Sequence, residues 1–127
     1  MANILVIEDH REFRDTLVEM LRLADHDVSV VGNGREGLDL LATDDFDLLV
    51  TDILMPEVDG IELLTAIRKR SARLPVVAIS GGGSMPASLA LSLSTSLGAD
   101  AVLFKPFYSR ELLDAVDRAL QSGSGPH

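Results

Sequence analysis

The sequence contains no cysteine among its 127 residues, which excludes disulfide bonds and thiolate metal sites. Basic residues are also few, since 11 lysines and arginines stand against 20 aspartates and glutamates. The resulting formal net charge of −9 repels a phosphate backbone. Direct nucleic-acid binding is therefore disfavoured.

Long apolar runs are missing as well. No stretch approaches the length needed to span a bilayer, and the apolar run near the start is too short and too lightly charged for a signal peptide. We therefore expect a cytoplasmic protein. The chain is nevertheless 46% hydrophobic, which argues against disorder, and its length predicts one domain with a single core.

Short apolar runs alternate with amphipathic stretches along the whole chain. The predicted strands are Asn3–Ile7, Asp27–Val31, Leu48–Asp52, Val76–Ser80 and Ala101–Phe104. The predicted helices are Arg11–Ala24, Arg35–Ala42, Gly60–Arg70, Ala87–Leu97 and Ser109–Gln121. Apolar residues at helical spacing predict their inward faces, among them Phe13 on the first helix, Leu38 and Leu41 on the second, and Leu89, Leu93 and Leu97 on the fourth. Short connections between strand and helix predict a doubly wound α/β domain with a five-stranded parallel sheet. We expect this domain to cover residues 1–121 and residues 122–127 to form a flexible tail or linker stub.

Polar residues follow four of these strands at the edge where open α/β sheets bind their ligands. Glu8 and Asp9 follow the first strand, Asp52 ends the third, Ser80 ends the fourth and Lys105 follows the fifth. Carboxylates packed together repel one another, and a bound Mg²⁺ would relieve that repulsion. An ammonium and a hydroxyl group suit the oxygens of a phosphoryl group. The pattern therefore predicts a carboxylate nucleophile, a metal and electrostatic partners for phosphoryl transfer.

Each of these residues also has a simpler interpretation. Glu8 and Asp9 could cap the first helix, because acidic residues favour a helix N-terminus. Lys105 could be a solvated surface lysine, and Ser80 a turn residue before glycines. His10, next to the acidic pair, could be a metal ligand, but its place at the start of a helix favours an exposed side chain.

Together the motifs resemble those of response-regulator receiver domains of two-component signalling. The resemblance runs from Ile4 to about Leu120, and four separate motifs carry it in order. They are Glu8-Asp9, the block from Asp52 through Met55-Pro56 to Asp59-Gly60, Ser80, and Lys105-Pro106-Phe107. For this CheY-like family, the resemblance implies a flavodoxin-like fold with sheet order 2-1-3-4-5.

The resemblance also implies a chemistry. Asp52 would accept a phosphoryl group from a histidine kinase or histidine phosphotransfer protein and then switch partner binding. Asp9, Asp52 and the Leu54 backbone carbonyl would ligate Mg²⁺, with Glu8 assisting through water. The protein would catalyse only its own phosphoryl transfer and slow autodephosphorylation, and would not otherwise be an enzyme.

Three further features of the site follow from the same resemblance. Lys105 would pair with the phosphoryl oxygens, and Ser80 would move toward them after modification. The peptide bond before Pro106 would be cis.

One position departs from the family pattern. Receivers commonly carry an aromatic residue three positions before the lysine, where this sequence has Val102. Phe104 lies on the same side of the strand as Val102 only if the pleat is regular. Residues 81–99 contain no charged residue, and Leu91 lies off the inward apolar stripe of the fourth helix. We expect the fourth helix, fifth strand and last helix to form a partner or homodimer face that includes Ser80, Val102, Phe104 and Leu91.

Two other functions compete with a phospho-accepting receiver. A degenerate receiver would act only as a docking module, and the missing aromatic residue at position 102 leaves this alternative open. A Mg²⁺-dependent phosphohydrolase or topoisomerase-primase-like enzyme also uses acidic clusters at strand ends. Those enzymes usually need an Asp-x-Asp pair, whereas Ile53 and Leu54 follow Asp52 here.

Overall fold

Five strands form one parallel sheet in the order β2-β1-β3-β4-β5. The computed structural model describes residues 2–52, 65–69, 74–80 and 98–124. The strands are β1 (Asn3–Ile7), β2 (Asp27–Val31), β3 (Leu48–Asp52), β4 (Val76–Ser80) and β5 (Ala101–Phe104). Their bounds and their order confirm the predicted flavodoxin-like sheet.

Helices α1 (Arg11–Leu23) and α2 (Gly34–Thr43) and a C-terminal helix (Ser109–Ser124) accompany the sheet. Residues 65–69 are helical and lie inside the predicted third helix, whereas the predicted fourth helix lies outside the described residues. The C-terminal helix ends at Ser124 rather than at Gln121, because no proline precedes position 126 to stop it. The domain boundary at residue 121 and the tail or linker stub over residues 122–127 stay predictions.

The sheet is buried on both faces, which is why its central strands read as continuous apolar runs. Every residue of β3 and β4 is buried. Alternate residues of β1 and β3 point to opposite sides and separate the core into two clusters. One cluster lies under α1 and the C-terminal helix and includes Ile4, Val50, Leu17, Leu21, Leu112 and Val116. The other includes Leu5, Ile7, Leu49, Ile67 and Val76.

Helix α2 packs on the sheet through a glycine. Its buried residues are Gly34 and Gly37, while the predicted inward leucines, Leu38 and Leu41, are only half-buried against the second cluster. A Cβ on Gly37 would overlap the Ile7 side chain, with Cγ1 only 2.9 Å away and Cδ1 closer still. The close approach of α2 to β1 therefore requires glycine at position 37.

The helices in the described part of the chain are all too short or too polar to cross a bilayer.

Candidate functional site

The register of the sheet brings the predicted site residues to one edge. Ile7 lies beside Thr51, Asp52 beside Ile79, and Ser80 beside Phe104. Glu8 and Lys105 directly follow β1 and β5, so they enter the same edge as Asp52 and Ser80. This placement agrees with the sequence-based expectation, because parallel strands end together at their carboxyl ends.

Three carboxyl groups meet at this edge. Oxygens of Glu8, Asp9 and Asp52 all lie within 4.8 Å of one another. Glu8 is 0% exposed and Asp52 is 5% exposed, whereas Asp9 faces solvent. The cluster thus combines two acids held in the protein interior with one that borders water, which leaves an open side through which a ligand can approach.

Lys105 lies between two of these acids. Its Nζ is 3.1 Å from Asp52 Oδ2 and 3.2 Å from Glu8 Oε1. Its backbone N–H donates to the Ser80 carbonyl at 3.0 Å, which ties the chain after β5 to the end of β4. The peptide bond between Lys105 and Pro106 is cis, which confirms the expectation from the resemblance. Lys105 is therefore not a solvated surface lysine.

The acids and the lysine shift one another's protonation. Burial raises the pKa of the Glu8 carboxyl to about 7, and the nearby charge of Asp52 adds to the shift, while Lys105 and the His10 N–H oppose it. Burial acts to lower the pKa of Lys105, but its hydrogen bond to Asp52 and the charges of Asp52 and Glu8 outweigh this and raise it. The single ammonium thus leaves part of the carboxylate repulsion unrelieved.

This donor set fits a hard divalent cation. Carboxylate oxygens within a few ångströms, one of them at the solvent border, are the ligands that Mg²⁺ accepts. Both Glu8 oxygens already contact protein groups: Oε1 contacts Lys105 Nζ, and Oε2 accepts from the His10 N–H at 3.4 Å. Leu54, whose carbonyl the resemblance adds to the set, lies outside the described residues.

The N-terminus of α1 is capped by a histidine rather than by the acidic pair. His10 is the N-cap residue, and its Nδ1 accepts from the Phe13 N–H at 3.4 Å. The N-cap is therefore His10 and neither acid, although Glu8 accepts from the His10 N–H; the carboxylates of Glu8 and Asp9 meet Asp52 in the cluster at the sheet edge. The expectation that His10 is exposed is confirmed.

One aromatic ring faces the Lys105 ammonium, and a second ring packs against the first. The ammonium Nζ lies 4.0 Å from the centroid of the Phe13 ring. The Phe107 ring meets Phe13 edge to face, with centroids 5.6 Å apart and an interplanar angle of 83°. By its spacing in the sequence, Phe13 belongs only to the apolar stripe of α1. Its position in the first turn after the acidic pair is the signal that could have placed it at the site.

The residues of the predicted switch face are only partly described. Ser80 is 1% exposed at the end of β4. Consecutive pairing of Ala78 with Val102 and of Ser80 with Phe104 shows that the pleat of β5 is regular. Phe104 therefore shares the side of the half-buried Val102, opposite the buried Leu103, and is 40% exposed. Leu91 lies outside the described residues.

Comparison with known proteins decides the family. Residues 4–117 match the family model described as response regulator receiver domain. The chain belongs to this family. Its members act in two-component signalling as phospho-accepting domains, so the enzyme alternatives are not favoured.

Individual relatives agree with this assignment. The chain is 38% identical over 121 residues to the transcriptional regulatory protein CpxR of Escherichia coli strain K12, which covers 95% of the chain but 50% of CpxR. It is 36% identical over 121 residues to the response regulator receiver protein CpdR of Brucella abortus, covering 94% of the chain and 98% of CpdR. The receiver therefore spans about half the length of CpxR and nearly all of CpdR.

A solved structure agrees as well. A response regulator receiver domain protein from Clostridium thermocellum has a TM-score of 0.86 at 26% identity, with 95% of each chain covered. Similarity over nearly the full length of both chains supports the same fold.

Proposed function

We propose that Asp52 is the phosphoryl acceptor of this receiver. The observation that carries the proposal is the position of its carboxylate, at the end of a fully buried strand and 3.1 Å from the Lys105 ammonium. One Asp52 oxygen forms a new bond to phosphorus while the bond from phosphorus to the donor histidine nitrogen breaks. The released imidazole takes up a proton from solvent, and Asp52 becomes an acyl phosphate.

Lys105 and Ser80 assist this transfer in different ways. The ammonium of Lys105 is already paired with Asp52, so it can pair with a phosphoryl oxygen attached to the same carboxylate. Ser80 ends the neighbouring strand, and its hydroxyl group moves toward the phosphoryl group once Asp52 is modified. Both groups stabilise negative charge at the place where the transfer puts it.

The acidic cluster is proposed to hold Mg²⁺. Asp9, Asp52 and the Leu54 carbonyl would ligate the ion, and Glu8 would contribute through water because both of its oxygens contact protein groups. When bound, Mg²⁺ neutralises the acids and the charge of the incoming phosphoryl group. Lys105 pairs with Glu8 and Asp52 even without the ion, and the raised pKa of Glu8 indicates that part of the repulsion persists.

The proposed physiological role is a switch in the cytoplasm. A histidine kinase or histidine phosphotransfer protein supplies the phosphoryl group, and modification changes the affinity for a downstream protein or a second copy of the chain. Val102 and Phe104 on β5 belong to the proposed partner face. The chemistry is limited to self-phosphorylation from the donor and slow autodephosphorylation.

The test is modification by a small phosphodonor. We expect intact mass to increase by one phosphoryl group when the protein is incubated with Mg²⁺ and acetyl phosphate, and we expect Asp52→Asn to abolish the increase. Asp45→Asn, a matched change at an exposed aspartate far from the cluster, should leave it intact. Light scattering on the same samples tests whether modification produces a dimer.

Two results would contradict the proposal. Continuous phosphate release without a modified protein would indicate a phosphohydrolase. A wild-type protein that neither gains mass nor responds to beryllofluoride would indicate a degenerate docking module.

A further inference from the structure

We propose that Phe13 is a positioning residue that holds the Lys105 ammonium against Asp52 through a cation–π contact. This inference rests on the proposed phosphoryl transfer to Asp52. The Lys105 Nζ lies 4.0 Å from the Phe13 ring centroid, well within the distance at which a ring face attracts an ammonium ion. Phe13 comes from α1, whereas Lys105 follows β5, so the contact joins two separate parts of the chain at the site.

The ammonium has one more donor than the two carboxylates use. A lysine carries three N–H donors. One contacts Asp52 Oδ2 at 3.1 Å and a second contacts Glu8 Oε1 at 3.2 Å. The centroid of the Phe13 ring lies 4.0 Å from the same ammonium, and the ring face attracts its positive charge. Phe13 therefore adds a neutral contact to the two charged ones, and this contact does not compete for the metal or the phosphoryl group.

A neutral contact can keep the Lys105 ammonium in place while the charge at position 52 changes. Lysine has a flexible side chain, and two carboxylates at nearly equal distances compete for its single charge. When Asp52 becomes an acyl phosphate, its own attraction for the ammonium changes, while Glu8 continues to attract it. The contact with Phe13 does not depend on the charge of either acid, so it keeps Nζ near position 52 before and after the transfer.

The ring itself is held in place from two directions. The Phe107 ring packs edge to face against it at 5.6 Å, and Phe107 lies two residues beyond Lys105. The backbone of Phe13 donates its N–H to the capping His10, whose own N–H donates to Glu8. Phe13 is therefore positioned by the same turn that carries one of the two carboxylates that bind Lys105.

The direct test measures the position of the ammonium in the unmodified protein. Protons above an aromatic ring shift upfield in NMR spectra, so the Lys105 side-chain Hε resonances should be shifted upfield in the wild type. Phe13→Leu should return them to the range of an exposed lysine such as Lys69, whereas Phe13→Trp should preserve the shift. Unshifted wild-type resonances would overturn the inference, whether or not Asp52 is phosphorylated.

The functional test compares rates of modification by acetyl phosphate. We expect Phe13→Leu to slow modification by about 3- to 10-fold, the size expected for loss of one cation–π contact at a partly desolvated site, and Phe13→Trp to restore the wild-type rate. Phe46→Leu makes the same change at a half-buried phenylalanine packed against the other core cluster, and should leave the rate unchanged.

Each outcome of this comparison decides the inference. A wild-type rate in Phe13→Leu would overturn it. Equal slowing in Phe13→Leu and Phe46→Leu would also overturn it, because the effect would then be one of general packing. Failure of the wild type to be modified at all would instead count against the role of Asp52, while the NMR shift would still decide the position of Lys105.

Discussion

At the scale of single residues, Glu8 shows how an energetically unfavourable group indicates function. Its carboxyl group is completely buried, and it shares one ammonium with Asp52. Burying an acid that is only partly compensated destabilises a fold, so such a group is expected where its ionised form has a function. The raised pKa of Glu8, about 7, is the consequence in the absence of metal.

A pH dependence of stability follows from this pKa. The folded-state pKa of Glu8, about 7, lies above its usual value of 4.5. The contribution of Glu8 to the unfolding free energy is therefore fully present below pH 4.5 and is lost as the pH rises through 7. In EDTA, we expect the unfolding free energy of wild type minus that of Glu8→Gln to fall by about 1–3 kcal/mol between pH 5 and pH 8.

Chemical denaturation at several pH values measures this difference. The exposed Glu19, changed to Gln, is the matched control and should show a nearly flat difference. A flat difference for Glu8→Gln as well would mean that the carboxyl group is not strongly perturbed.

At the scale of elements, the strands were predictable to the residue, while helix ends and helix packing were not. Buried parallel strands are short apolar runs bounded by polar residues, so both ends are visible in the sequence. Helix α2 was expected to face the sheet with Leu38 and Leu41, but Gly37 lies at its closest contact. An apolar pattern identifies large residues, whereas close packing of a helix depends on where a side chain is absent.

Gly37→Ala tests this contact between α2 and β1. The new Cβ would overlap the fully buried Ile7 side chain, which would have to repack, so we expect a loss of about 1–3 kcal/mol in unfolding free energy. Helix propensity alone would predict the opposite sign, because alanine is favoured over glycine in a helix.

Gly32→Ala is the control for this substitution. Among the described residues, its Cβ would meet only the end of the flexible Arg14 side chain, at 3.2 Å, so we expect a much smaller change. Thermal or urea unfolding distinguishes the two variants, and a stabilised Gly37→Ala would contradict the packing described above.

At the scale of the whole molecule, the proposed Mg²⁺ site would couple metal binding to folding. The residues of the cluster come from β3 and from the turn after β1, and they meet only when the sheet forms. A ligand that binds only the folded state stabilises it by mass action. Mg²⁺ should therefore raise the melting temperature of this protein.

The measurement is thermal unfolding across a Mg²⁺ titration. We expect stabilisation of about 2.7 kcal/mol at a Mg²⁺ concentration 100-fold above the dissociation constant, and we expect Asp9→Asn to remove most of it. Asp15→Asn, at an exposed aspartate on α1, should respond to Mg²⁺ as the wild type does. An equal response in Asp9→Asn would exclude Asp9 as a ligand.

The sequence by itself determined which polar residue stands at the end of which strand, and with that the family, the sheet and the residues at its edge. It could do so because a parallel sheet carries every strand end to one edge, so the position along the chain implies the position in space. Only the tertiary structure decided which atoms meet there. It placed Lys105 between Glu8 and Asp52, made His10 the cap of α1 and laid the Phe13 ring against the ammonium. Those contacts depend on side-chain directions from elements far apart in the chain, which no local pattern of residues records.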